Sequence, residues 1–341
     1  MGILSIISVM FYDLGIDEVW YILYARNFSE YLVPFIKVND QIARLDLIAM
    51  LPYYILYYFY QLILNPSLIG IKILASIISV VSIGTIALIL RKIYSTIFIL
   101  LFITLIVMQP GFGFVATSFF GEICAVMFLI CGAYLLFYNE KIVLGSIMLS
   151  LAIHTKFQLI YIILFSLFVL SVMYQDKKIF KALFLTFLFS FLIIIIRSIP
   201  LYFNHLEPFG KVIREFYGFA SGYDRGLSWV IVERLQLYNK FFPILVFAFI
   251  ISSSIMLLKN KFEKFIFVVF LVMNLYWILF FNFVTYRHLF MGVIPACFLL
   301  TKVLIFVCSE LSKGQKKELL YLKYSHCFLF LYFLLMVLQP I

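Results

Sequence analysis

Charge is what this chain has least of. Only 12% of its 341 residues are Asp, Glu, Lys or Arg, while 65% are apolar and 20% aromatic. A soluble domain carries about 25% charged and about 45–50% apolar residues. A water-soluble enzyme is therefore excluded, and so is a disordered chain, which needs low hydrophobicity and high charge. Cysteine is scarce and unpatterned: Cys124, Cys131, Cys297, Cys308 and Cys327 are odd in number and show no CxxC spacing. They read as small apolar packing residues, not as a metal or redox motif. HExxH is absent, and no metal set or cofactor signature is legible. Gly111-Phe112-Gly113 lacks the GK[ST] of a phosphate loop and reads as a turn after Pro110. No direct or inverted repeat is visible, which argues against a secondary transporter. Alternating strands of about ten residues, the mark of an outer-membrane barrel, are also missing. The net charge of +10 does not make a nucleic-acid binder, because the basic residues are dispersed and form no stripe.

Long apolar runs are what is present. They cover 1–12, 45–64, 68–90, 95–109, 118–138, 142–154, 157–174, 180–200, 241–258, 265–284, 289–308 and 325–341. Runs near 18–20 residues are the length that crosses a bilayer as a helix. The expected class is an all-α polytopic membrane protein, with 1–341 as a single transmembrane domain. Met1–Phe11 has no basic start and no small-residue cleavage site, so it does not read as a cleavable signal.

Basic residues orient the spans, because Lys and Arg gather in short cytoplasmic loops. Half of the 26 Lys and Arg lie in five connectors: Arg91-Lys92, Lys141, Lys177 to Lys181, Lys259 to Lys264, and Lys313 to Lys323. These connectors share one side only if the segment 45–64 does not cross. LDLIAMLPYYILYYFYQLIL is therefore expected to lie in the outer interface, where its tyrosines suit the headgroup level. About eleven spans remain, with the N-terminus inside. Two long outer loops follow, 13–67 and 201–240. The first is acidic, with Asp13, Asp17, Glu18, Glu30, Asp40 and Asp46 against Arg26, Lys37 and Arg44. The chemistry is expected on that face.

Five stretches carry groups able to act. In IDEVWYILYARNFSEY, Asp17 and Glu18 open a helix whose aromatic face is Trp20, Tyr21, Tyr24, Phe28 and Tyr31. A carboxylate there could take a proton from an acceptor hydroxyl; it could equally cap the helix or complement its dipole. Arg26 stands one turn before Glu30, a spacing that pairs them. Glu122 opens a span, where a carboxylate is costly unless wetted or partnered. His154-Thr155-Lys156 breaks two apolar runs; Lys156 either snorkels or holds a phosphate. Thr285-Tyr286-Arg287-His288 offers an arginine suited to bidentate phosphate contact or to interfacial anchoring. Gly222-Tyr223-Asp224-Arg225-Gly226 reads as a tight turn, and Arg225 is a possible substrate contact.

The order of these features resembles the GT-C glycosyltransferases, in particular glycosyltransferase family 39 with its protein O-mannosyltransferases and lipid A aminoarabinose transferases. Asp17-Glu18, Trp20-Tyr21 and Ala25-Arg26-Asn27 are similar to the family's first outer loop. SFFGEICAVMFLICGAYLLF is similar to its second acidic element, with Glu122 at the acid, and LGSIMLSLAIHTKFQLIYIIL to its G-x-x-x-G-L-A-x-x-T-K pattern, with Lys156 at the Lys. YRHLFMGVIPACFLL is similar to a late Arg-to-Pro element, with Arg287 and Pro295. Glu replaces the family's usual Asp at 122, the Pro-Pro before the juxtamembrane helix is reduced to Pro52, and Tyr286 precedes the arginine instead of following it.

The resemblance implies a GT-C-like helical bundle with juxtamembrane helices in the first outer loop. It also implies a polyprenyl-phosphate sugar donor, drawn from the membrane lipid, and an acceptor that is a glycan, a lipid or a protein. Asp17 would be the base of an inverting displacement, with Glu18 and Glu122 orienting base or acceptor. Lys156 and Arg287 would bind the donor phosphate; Arg26, Tyr286, His288 and Arg225 are possible substrate contacts. No cofactor, metal or nucleic acid is implied. The alternatives are an envelope polysaccharide polymerase using polyprenyl-diphosphate donors, and a transporter or flippase of lipid-linked sugars.

Overall fold

The computed structural model describes residues 16–31, 35–38, 41–45, 50–63, 67–109, 111–119, 121–203, 257–279 and 286–311. The expected segments 1–12 and 325–341, and nearly all of 201–240 and 241–258, lie outside the described residues. Eleven helices and one hairpin are described. They are α1 (Ile16–Tyr31), β1 (Phe35–Val38), β2 (Gln41–Leu45), α2 (Leu51–Ile63), α3 (Leu68–Arg91), α4 (Thr96–Val107), α5 (Phe112–Thr117), α6 (Glu122–Phe137), α7 (Ile142–Thr155), α8 (Leu159–Tyr174), α9 (Lys177–Phe203), α10 (Lys261–Leu279) and α11 (Tyr286–Leu311).

The described residues of every expected apolar segment between 68 and 200 are mainly helical, as are 265–279 of the segment 265–284 and all of 289–308. The cause is solvent: in hydrocarbon each backbone N–H and C=O must be satisfied within its own segment. Ile69–Arg91, Lys177–Ile199 and Phe290–Ser309 are long and apolar enough to cross a membrane, and α4, α6, α7 and α8 are shorter apolar helices.

The chain forms two compact units. The first holds residues 1–86 and 113–223. Its α6 and α7 cross at two glycines. A Cβ on Gly132 would stand 3.0 Å from the Gly145 carbonyl oxygen and 2.7 Å from Leu149 Cγ. Small residues let membrane helices approach this closely. Next, α7 packs on α9 through a ladder: Ser146 Oγ donates to Ala182 O (3.3 Å), Ser150 Oγ to Thr186 O (3.0 Å), and His154 Nε2 lies 2.9 Å from Ser190 O. The same sequence offset at each rung makes the helices parallel and in phase. Because a carbonyl only accepts, His154 carries its proton on Nε2. At the opposite end, Lys178 Nζ meets Glu140 Oε2 at 2.6 Å, so two of the basic connectors share one end of the unit.

The segment expected as the first outer loop differs from expectation in two ways. Residues 35–38 and 41–45 pair as antiparallel strands with Val38 opposite Gln41, Phe35 opposite Leu45, and a bulge after Ile36. The sequence signal is Asn39-Asp40 between two runs rich in β-formers. Secondly, the tyrosines of α2 do not all face the headgroups. Tyr53, Tyr54 and Tyr57 are buried, while Ile55, Leu56, Phe59, Leu62 and Ile63 are exposed. The helix presents apolar residues outward and seats Tyr53, Tyr54 and Tyr57 in a cluster with Tyr24, Ile71, Ala75, Phe119 and Cys124. At 13 residues it is about 20 Å long, less than the roughly 30 Å hydrocarbon core.

The second unit holds residues 87–112 and 224–341. Its α11 packs against α4 and α10. Tyr94, Phe98 and Phe298 meet there, with ring centroids 4.3 Å apart for Tyr94–Phe98 and 5.4 Å for Phe98–Phe298.

Candidate functional site

Three helix ends converge in the first unit. Gly121 precedes α6 with φ +81°, and a Cβ there would stand 2.9 Å from Met50 Sδ and 3.2 Å from Thr155 Cγ2. Only glycine fits both the backbone and the space. Glu122 is thus the first residue of α6. Lys156 follows the last residue of α7 in an extended conformation, its N–H donating to Ala152 O at 3.0 Å. Met50, itself at φ 57°, donates its N–H to Thr155 O at 3.2 Å and so fixes the start of α2.

The two ends bring opposite charges together. Lys156 Nζ lies 2.7 Å from Glu122 Oε1, and both side chains are almost wholly buried. The α6 dipole favours the carboxylate at its start, and the α7 dipole favours the ammonium at its end. Glu122 Oε2 is buried and accepts no hydrogen bond among the described residues. A buried carboxylate with one unmet oxygen is costly, and such a group is where a ligand donor gains most.

Tyr53 lies close enough to Glu122 to feel its charge. Tyr53 packs edge-on against Phe119 at 4.8 Å between centroids. Burial above all raises the Tyr53 phenol well above its usual pKa. The neighbouring Cys124 and Glu122 charges add to this, and a hydrogen bond with Ser79 opposes it. Beside it, Tyr54 meets Phe28 of α1 at 5.8 Å and carries the Arg197 guanidinium 6.0 Å above its ring. Arg197 is buried too.

The other expected residues are placed as follows. Asp17 and Glu18 fall in the first turn of α1, at the positive end of its dipole, but their side chains lie outside the described residues. Arg26 is exposed and pairs with Glu30 at 3.9 Å. Tyr286, Arg287 and His288 open α11, and their side chains lie outside the described residues. Arg225 lies outside them altogether. Among the described residues no three His, Cys, Asp or Glu gather as metal ligands.

Sequence reasoning expected Asp17, Glu122, Lys156 and Arg287 in one crevice, of which the described side chains bring Glu122 and Lys156 together; it gave no role to Arg197, Tyr53 or His154. A charged residue inside an apolar run, as Arg197 is, was the available signal.

No family model matches the chain, and no curated protein matches it in sequence. Among solved structures, ArnT from Cupriavidus metallidurans, crystallised bound to undecaprenyl phosphate, is similar at a TM-score of 0.65 and 12% identity, over 92% of this chain. The chain spans 62% of the length of that protein. That likeness, with the helices described above, shows that this chain has the fold of ArnT.

Proposed function

We propose that the chain is an integral-membrane glycosyltransferase that takes a sugar from a polyprenyl-phosphate donor and passes it to an acceptor on the extracytoplasmic face of the cell membrane. The observation that carries this reading is the likeness, over 92% of the chain, to a protein solved with undecaprenyl phosphate. The buried Glu122–Lys156 pair at the junction of three helix ends supports it.

The chemistry needs few groups. An acceptor hydroxyl oxygen attacks the anomeric carbon as the bond from that carbon to the phosphate oxygen breaks. Polyprenyl phosphate leaves with the electron pair, and the configuration inverts. Asp17, in the first turn of α1, takes the acceptor proton. Lys156 and Arg287 balance charge growing on the phosphate. Glu122 holds Lys156 with one oxygen and offers the other to a donor group of acceptor or base.

The test is release of undecaprenyl phosphate from undecaprenyl-phosphoryl sugars by the purified protein in liposomes supplied with envelope glycan and lipid acceptors. Transfer by the wild type and a loss of roughly 10²–10⁴-fold in Asp17→Asn, with insertion unchanged, is the expected result. Full activity of Asp17→Asn removes Asp17 from the mechanism. Transfer only from diphosphate oligosaccharide donors replaces the reading with a polysaccharide polymerase, and movement of lipid-linked sugar without bond formation replaces it with a transporter.

A further inference from the structure

One face of α9 is committed to a neighbour and another is not. The carbonyls of Ala182, Thr186 and Ser190 take the rungs from α7. On the face turned away from them, Phe180, Phe184 and Phe187 are each more than half exposed. With Leu183 of α9 and Leu164 of α8 they line an open groove of about 270 Å³, walled by apolar side chains alone. From Phe180 to Phe187 the groove follows the helix for about 10 Å.

Positive charge gathers at the start of this groove. Glu140 engages Lys178 at 2.6 Å, and Asp176 accepts the Lys178 N–H at 2.8 Å. Both carboxylates of this end are thus occupied, while Lys177 and Lys181 are exposed and have no carboxylate partner among the described residues. Lys177 stands three residues before Phe180, and Lys181 three before Phe184, so each cation neighbours a groove ring on the helix surface. The two lysines are one turn apart, a spacing at which like charges repel, and a single anion between them relieves that repulsion. Their methylene stems can lie on the phenylalanines while the ammonium groups stay at the edge. An apolar groove that ends in two unpaired cations has the two parts that an anionic amphiphile needs.

We infer that this groove holds an acyl chain of an anionic phospholipid, with its phosphate between Lys177 and Lys181. A zwitterionic phospholipid supplies the same chain, but its own positive group offsets what the lysines offer. A soluble phosphate meets the lysines and leaves three phenylalanines uncovered. The lipid braces α8 against α9 and is no substrate: Lys177 lies about 20 Å along α9 from Ser190, the residue that meets His154 beside the Glu122–Lys156 pair. The inference does not depend on the sugar-transfer reading.

The purified, delipidated full chain is titrated with phosphatidylglycerol and with phosphatidylcholine of identical chains, and bound lipid is counted by native mass spectrometry. The wild type is expected to bind phosphatidylglycerol about tenfold more tightly, as two lysines beside one phosphate allow. Lys177→Gln with Lys181→Gln removes that preference and leaves phosphatidylcholine binding unchanged. Lys141→Gln with Lys178→Gln, at the same end but off the groove face, keeps it. Leu164→Trp fills the groove, retains every charge and weakens phosphatidylglycerol binding severalfold. A wild type without preference overturns the inference. So does an equal loss in the Lys141 and Lys178 pair, which marks the diffuse field of a basic end, or unchanged binding in Leu164→Trp, which marks a headgroup contact alone. If circular dichroism shows that Leu164→Trp does not fold, Phe184→Gln, at an exposed position, decides on the same terms. Failure here leaves the sugar-transfer reading standing, because no transfer is measured.

Discussion

Two buried Glu–Lys pairs, one in each unit, differ in a way that separates architecture from chemistry. In the second unit Glu263 is saturated. Its Oε1 accepts from Tyr94 Oη at 2.8 Å, and its Oε2 accepts from the Lys259 N–H at 2.7 Å and faces Lys302 Nζ at 2.5 Å. Lys302 also donates to Leu257 O at 3.0 Å. Both oxygens are met, and the group ties α10, α11 and Tyr94, two residues before α4, into one clasp. In the first unit Glu122 meets Lys156 through one oxygen and leaves the other unmet among the described residues. A fully satisfied charge group secures the fold, while a partly satisfied one keeps capacity for a ligand at a standing cost.

The comparison breaks or holds on paired substitutions. Glu263→Ala leaves Lys302 without its carboxylate and is expected to cost about 3–5 kcal/mol of stability, with transfer per folded molecule unchanged. Thermal unfolding read by labelling of the buried Cys297 measures the first, and transfer normalised to folded protein the second. Joint replacement by Glu263→Leu and Lys302→Met is expected to recover most of the loss, because the desolvation of both charges is removed with them. Activity that falls with Glu263→Ala in protein still folded would end its assignment as a purely structural clasp.

The reverse pattern is expected at Glu122. Glu122→Gln keeps the shape but removes the charge facing Lys156. Transfer should fall roughly 10²-fold, as when one preorganised electrostatic group is lost. Pairing it with Lys156→Met should return stability toward wild type without returning transfer. A double variant that transfers normally would show that the first pair is no more than a second clasp.

The sequence made the helices legible because hydrocarbon imposes one rule on every span: apolar side chains outside, backbone satisfied inside. The basic connectors are likewise a local signal, and the contact between Lys178 and Glu140 puts two of them at one end. What the sequence hid is pairwise. Glu122 and Lys156 lie 34 positions apart, and nothing in either segment names the other. The direction of the α2 tyrosines was hidden for a related reason: a phenol suits both a headgroup layer and a buried contact, and only the neighbours Phe28, Phe119 and Cys124 decide. The hairpin at 35–45 was overlooked because its strands are only four and five residues long. The rungs Ser146, Ser150 and His154 show their helical spacing in the sequence, but their acceptors are backbone carbonyls, which no side chain advertises.

That ladder gives the smallest test of the comparison. Ser150 Oγ donates to Thr186 O at 3.0 Å and also approaches Ser146 O at 2.9 Å within its own helix. Ser150→Ala removes the contact across to α9 without creating a large void. Hydrogen bonds between membrane helices contribute about 0.6 kcal/mol on average, so the loss in the same cysteine-labelling assay should be well under that of Glu263→Ala. Like the clasp, this rung is satisfied and should leave transfer unchanged. Because the ladder sets the level of Lys156 against α9, however, Ser150→Ala combined with His154→Ala is expected to lower transfer more than the two single changes together. Strict additivity in stability and in transfer would mean that the rungs hold two helices side by side without governing where the Glu122–Lys156 pair comes to rest.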